Sequence, residues 1–316
     1  MNRLIGAELN RWFSRRLFWV VLVAGALLAV LVVAGAAYSA RPMSAPELAQ
    51  AEQQYTDAKQ DADRETQQCL RDGGSTEECT AWTPRREDFV RQPPPYAVLA
   101  GAMGQAGVMI AAYAALLLGA SFLGAEFKTG NLGTWLTYVP SRIPVLVSKA
   151  IATIVGTAML GVLLLGLLQA GAAGIVLTFS GSAALQPAPD AWAMTGRGFL
   201  LVLFASLIGF GLAGLLGSTA GPIGVLLGVM VLQWAVGVMV LLFGASAWLP
   251  AALPDPNVQA FLNGSAEIPY QERAANGELI DKVFVLSLVQ ASAYLGGALV
   301  LLGALATWRF AKREVR

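Results

Sequence analysis

Residues Leu17–Tyr38 read LFWVVLVAGALLAVLVVAGAAY, 22 consecutive residues without a charge. Wound as a helix at 1.5 Å per residue, such a run covers about 33 Å, the depth of a bilayer's hydrocarbon core. No face of that helix carries polar side chains to turn toward water, so its surroundings must be apolar on every side. The run is also longer than the apolar region of a cleaved signal, and it reads as a retained first span.

The same pattern recurs along the chain. Apolar runs at Tyr96–Ala125, Pro144–Leu177, Phe199–Ser218, Ile223–Leu249 and Val283–Trp308 bring the expected spans to six. Of the 316 residues, 56% are hydrophobic and 13% charged, the latter about half the share of a soluble globular protein. The expected fold is an all-α polytopic membrane protein with six transmembrane helices. The third run is too long for one straight crossing, so it tilts, extends beyond the bilayer or breaks near Gly171–Gly174. Between spans four and five only residues 219–222 remain, an uncharged turn that demands an antiparallel pair, with Pro222 placed to end it.

Charge sets the expected orientation. Arg3, Arg11, Arg15, Arg16, Lys128, Arg142, Lys149, Arg309, Lys312, Arg313 and Arg316 fall on one side with only Glu8, Glu126 and Glu314. The opposite loops hold the other 10 basic and 17 acidic residues. The positive-inside rule then predicts both ends in the cytoplasm, N-in and C-in. The cytoplasmic parts are residues 1–16, 126–143, 219–222 and the tail 309–316; the extracellular parts are 39–95, 178–198 and 250–282. Within 1–16, Ile5, Leu9, Trp12 and Phe13 share a helical face, which reads as an amphipathic interfacial helix on the inner leaflet or as a plain basic flank that orients span one.

The first extracellular stretch is a small helical insertion. Ser44 and Glu47 form a capping-box pattern ahead of a helix at about 45–70, which Gly73-Gly74 stops. Its stripe of Leu48, Ala51, Tyr55, Ala58 and Ala62 packs on a partner helix or on its own return segment, or lines a ligand groove. Cys69 and Cys79, the only cysteines, both fall here, on the oxidising side, and are expected to form a disulfide bond worth about 2 to 3 kcal/mol. In the last extracellular loop, Val258, Phe261 and Leu262 have the spacing of a short amphipathic helix. The Ala, Gly, Val and Leu-heavy composition is in keeping with a bacterial plasma (inner) membrane, where the Asn263-Gly264-Ser265 triplet carries no meaning.

Chemistry is conspicuous by what is missing. Histidine is absent, which rules out Ser-His-Asp and Cys-His catalysis and leaves no basis for His and Cys metal sites. No G-x-x-x-x-G-K-[ST] loop occurs, so ATP is not bound by this chain and no cofactor is expected on it. The spans hold almost no ionisable groups, against a proton relay. Glu126 and Lys149 sit at inner ends, where snorkelling makes them cheap. Gln105, Gln169, Gln233 and Gln290 read as interhelical hydrogen-bond partners. A net charge of +1, split between loops, argues against nucleic-acid binding.

The remaining informative stretch is the inner loop from Gly124 to Arg142. Asn131 can cap a short helix whose Leu132, Trp135 and Leu136 form an apolar face, and Pro140 ends it. Such a face seeks the lipid interface or a groove in another protein. Here the sequence resembles the permease subunits of type-2 ATP-binding-cassette exporters. In that family an acidic residue ends the second span and is followed by an aromatic, a base and, after one more residue, Gly. A coupling helix, a Pro-x-Ser-Arg-like turn and a Lys at the start of span three come next. Glu126, Phe127, Lys128, Gly130, Pro140, Ser141, Arg142 and Lys149 match; Asn131 stands where the family commonly has Thr, and Pro140 and Ser141 are adjacent.

The resemblance implies a non-catalytic subunit working as a dimer, a second permease copy or homologue being its partner. It also implies two cytosolic ATPase subunits that carry ATP and Mg. The coupling helix, with Asn131, Leu132, Thr134, Trp135, Leu136 and Tyr138, would sit in an ATPase cleft, oriented by Glu126 and Arg142. The expected function is export of a lipophilic or amphiphilic substrate, a drug, antibiotic peptide or lipid. The alternative is a membrane sensor or assembly protein that binds a ligand or partner through its extracellular insertion. Small-residue rows at Gly166, Ala170 and Gly174 and at Gly217, Gly221, Gly224 and Gly228 predict close helix approach, within the chain or across a dimer.

Overall fold

The computed structural model describes residues 2–80, 83–129, 142–243, 248–273 and 279–312. Among the described residues, six helices are long and apolar enough to cross a membrane. They are span one (Arg16–Ala40), span two (Tyr96–Thr129), span three (Arg142–Phe179), span four (Pro189–Leu216), span five (Ala220–Phe243) and span six (Leu288–Lys312). The chain is an all-α multi-pass membrane protein with one small β-hairpin added. Its proximal end carries an N-terminal helix, Asn2–Ser14, and the last turn of span six; its distal end carries the insertion and the hairpin. Exposed Trp19 and Trp308 lie near the proximal end, exposed Tyr38 and Trp192 near the distal end. Trp19 and Tyr38 are 19 residues apart in one helix, about 28 Å, which matches aromatic belts at two interfaces.

Spans two, three and four form the centre of the bundle, while span five buries nothing along its most apolar window. Spans two and four touch backbone to backbone. A Cβ added to Gly119 would collide with the Ser206 carbonyl, and one added to Gly209 would collide with the Leu116 carbonyl. In the small-residue rows expected to allow such contacts, Gly166, Gly174, Gly224 and Gly228 have open space where a Cβ would stand, whereas a Cβ at Gly221 would meet the Leu216 side chain at the end of span four. Two of the glutamines, Gln169 and Gln233, do bridge helices. Gln169 Nε2 donates to the Ala100 carbonyl of span two and to Thr195 Oγ1 of span four. Gln233 Oε1 accepts from the Asp255 N–H, and Gln290 caps span six by accepting from Ser287.

Several boundaries differ from the sequence reading, each for a local reason. Span three is one unbroken helix of 38 residues, about 57 Å long, so it overruns the hydrocarbon. Span four begins at Pro189 rather than Phe199, because proline at the first turn has no N–H to leave unsatisfied and the helix simply continues past the lipid. Its end is set by Gly217, whose φ of 69° lets the N–H reach the Ala213 carbonyl. Pro222 lies in the first turn of span five, not at the end of the linker. Span six begins at Leu288 rather than Val283, because 279–287 is a strand.

That strand, Leu279–Ser287, pairs antiparallel with Ser265–Arg273, in a register that sets Ala266 against Leu286 and Ile268 against Phe284. These four side chains pack with Ala260 and Ala291, while Val283 and Val285 on the other face are exposed. A short helix, Pro254–Asn263, precedes the hairpin and supplies Ala260.

In the insertion, helix Ala45–Arg71 packs on its own return segment through the short helices Thr76–Cys79 and Arg86–Phe89. Tyr55 and Phe89 rings lie 5.9 Å apart, Glu52 pairs with Arg86, and Thr66 Oγ1 donates to the Cys79 carbonyl. Cys69 and Cys79 are disulfide-bonded. The Ser44 N–H and hydroxyl both donate to Glu47 Oε2, at 2.8 and 2.7 Å. These bonds, led by the backbone one, hold the Glu47 carboxyl below its ordinary 4.5. The Ser75 hydroxyl and N–H do the same for Glu78.

Both folded values lie below the unfolded ones, so the caps contribute fully above about pH 4.5 and are lost as pH falls through the folded values. Amide exchange at residues 47–50, corrected for intrinsic rate, should therefore quicken relative to the helix centre between pH 6 and pH 3. A constant ratio would show that these carboxylates do not hold the helix end.

Candidate functional site

At the proximal end the N-terminal helix does not merely lie on lipid; it docks on spans two and three. Its expected apolar face is the docking face, with Trp12 almost wholly buried and Ile5, Leu9 and Phe13 partly so. The Trp12 indole lies 4.6 Å from the Phe122 ring, edge on, and fills the notch left by the missing side chain of Gly156. In the middle of the same face sits Glu8, fully buried.

A buried carboxylate needs a partner, because leaving the charge uncompensated costs several kcal/mol. Glu8 finds Lys149 of span three, whose Nζ lies 2.8 and 2.9 Å from its two oxygens. The same ammonium is 2.8 Å from Glu126 at the end of span two. Lys149 is 0% exposed and Glu126 1% exposed. Arg11 closes the group, 3.2 Å from Glu126 and 3.7 Å from Glu8. Two carboxylates and two cations sum to zero formal charge, which is what a site of low dielectric requires.

Arg15 ties the entry of span one to span two by donating to the Ser121 and Phe122 carbonyls at 3.0 and 3.2 Å, with its guanidinium 4.7 Å over the Phe122 ring. Below the node a ladder of hydroxyls continues along span three: Thr153 donates to the Lys149 carbonyl, and Thr157 lies 2.7 Å from the Thr153 carbonyl and 3.1 Å from Ser206 Oγ. Phe127 stacks edge on against Phe310 of span six, centroids 6.5 Å apart.

Glu126 and Lys149 therefore do not snorkel to water, as expected from their place at span ends. They are the buried centre of a four-residue ionic node. Glu8 and Arg11, both missing from the expected site, complete it. The signal that could have found Glu8 is its position: one of only three acids among the basic residues of the proximal side, one helical turn from Trp12 on an otherwise apolar face. Gly130, Asn131, Leu132, Thr134, Trp135, Leu136, Tyr138, Pro140 and Ser141 lie outside the described residues, as do the side chains of Lys128 and Arg142. The expected coupling helix falls among them.

The node thus brackets this segment. Glu126 stands just before it, Lys149 just after it, and the two are joined by a direct ion pair. A family model for ABC-2 family transporter proteins matches residues 4–315, nearly the whole chain. The chain belongs to this family. No curated protein and no solved structure matches it. As an ABC-2 permease subunit it is a transport component whose ATPase is a separate protein, and the family relation implies ATP-binding-cassette ATPase subunits as partners. The node is then the point where the membrane domain of an ABC-2 permease meets the segment between spans two and three.

Proposed function

We propose that this chain is the membrane subunit of an ATP-driven exporter for lipophilic or amphiphilic substrates, paired with a second permease and with two cytosolic ATPase subunits that bind ATP and Mg. The proximal end faces the cytoplasm of a bacterial plasma membrane, in line with the charge asymmetry of the loops. The observation that carries the reading is the ionic node. It ties the N-terminal helix, the end of span two and the start of span three into one unit on both flanks of residues 130–141. Force applied to that segment by an ATPase then moves three elements together rather than bending one loop. Glu126 and Lys149 act by positioning the segment's ends. The scarcity of ionisable groups at membrane depth fits an uncharged pathway, and span five, which buries nothing along its most apolar window, leaves an apolar surface for a second permease.

Trp135 is the aromatic anchor of this scheme. Trp135→Ala should weaken association with the ATPase roughly 30-fold, the effect of losing about 2 kcal/mol at an interface hot spot. Co-purification with the ATPase and stimulation of its ATP turnover measure it. Unchanged coupling would remove the 132–138 segment from the interface.

A further inference from the structure

Between spans four and six, in the distal half of the membrane, runs an apolar groove of about 280 Å³. Leu200, Phe204 and Leu207 of span four form one wall, Leu295 and Leu299 of span six the other, and Phe261 closes the distal end. Its floor includes Gly296, where an added Cβ would meet nothing within 4 Å. The one hydroxyl on the lining, Ser292, is already spent on the Leu288 carbonyl. Leu200 to Leu207 covers about 10 Å of helix, so the groove has room for a stretch of acyl chain lying along the spans.

A cation stands at its distal mouth. Arg197 is one helical turn from Leu200 and Leu201, and its Nη1 sits 2.9 Å from where a Gly264 side chain would begin, three residues past Phe261. Its Nε donates to the Ala193 carbonyl. Among the described residues no carboxylate lies within salt-bridge distance of it. Arg197 is 19 residues from Leu216, about 28 Å. It therefore lies at headgroup depth if Leu216 lies at the opposite interface.

An acyl-shaped trough topped by a guanidinium is complementary to one kind of ligand. We propose that this groove binds an anionic phospholipid of the distal leaflet, its phosphate on Arg197 and one acyl chain between spans four and six. The guanidinium fork matches phosphate oxygens in a bidentate pair, which a zwitterionic lipid offers only against its own cation. Such a lipid wedges spans four and six, at a site apart from the ionic node.

The test is photolabelling of the full chain in phosphatidylcholine vesicles doped with phosphatidylglycerol or phosphatidylcholine bearing a mid-chain diazirine, adducts being mapped by mass spectrometry. Adducts on 200–207 and 292–299 should be at least fivefold more abundant with the anionic probe. Arg197→Gln should remove that preference and leave labelling of lipid-facing Val20–Leu31 as in the native chain. Gly296→Leu, whose side chain enters open space, should remove groove adducts with either probe. In asymmetric vesicles the probe should label the groove from the distal leaflet. Equal labelling by the two probes, a preference surviving Arg197→Gln, groove adducts surviving Gly296→Leu, or labelling from the proximal leaflet alone would each overturn the proposal.

Discussion

Lys149→Met is expected to destabilise the protein by about 3 to 5 kcal/mol, the cost of breaking a buried ion pair from one side. The ammonium answers two buried carboxylates at once, Glu8 and Glu126. Without it the node holds two buried carboxylates, and among the described residues only Arg11 is within ion-pair distance of them. The loss should appear as early thermal unfolding of the purified protein and as release of the N-terminal helix, read by proteolysis within residues 2–14. Charge arithmetic sharpens the test. Glu8→Gln added to Lys149→Met returns the node to neutrality through Glu126 and Arg11, so the double variant should be more stable than Lys149→Met alone. If Lys149→Met melts with the native protein, or if the two changes add, the node is not held by compensation of charge.

Gly209→Val should have an effect of similar size, about 3 kcal/mol, at the upper end of what overpacking costs. A Cβ at this position has nowhere to go, because it meets the Leu116 carbonyl of span two, a backbone atom that no rotamer change can move aside. Spans two and four would have to separate, and with them the hydroxyl contact of Thr157 with Ser206. Gly228→Val is the matched control. A Cβ there finds open space within the chain, so in the isolated protein the change should stay within about 0.5 kcal/mol. Equal melting temperatures for the two variants would contradict the close approach.

How far the sequence revealed these features depended on the kind of signal each one leaves. The six spans were legible because length and hydropathy report directly on lipid. The capping residues Ser44 and Glu47 were legible because the pairing is local. The hairpin was not. Val283-Phe284-Val285-Leu286 is as apolar as the helix that follows it, and it was absorbed into span six. The alternation of Ala266, Ile268 and Tyr270 with Glu267, Pro269 and Gln271 was the period-two signal to weigh against it. At the node, Glu126 and Lys149 stood out through the family pattern, but their depth did not, since burial depended on a helix docking over them. Glu8 reaches Lys149 across 141 positions, a separation no local pattern encodes. Gly119 and Gly209 were invisible for the same reason: many span glycines are alike until a particular backbone crosses them.

That separation of 141 positions also sets an order of events during synthesis. At about 5 to 20 residues per second, Glu8 leaves the ribosome roughly 7 to 28 seconds before Lys149. Throughout that interval the N-terminal helix carries an acid in the middle of its apolar face with its partner still unmade. It can settle only once span three is in the membrane, so its docking reports that the first half of the bundle has been assembled. A chain halted before span three presents an unmatched Glu8 and an exposed Trp12, the kind of surface on which chaperones and proteases act.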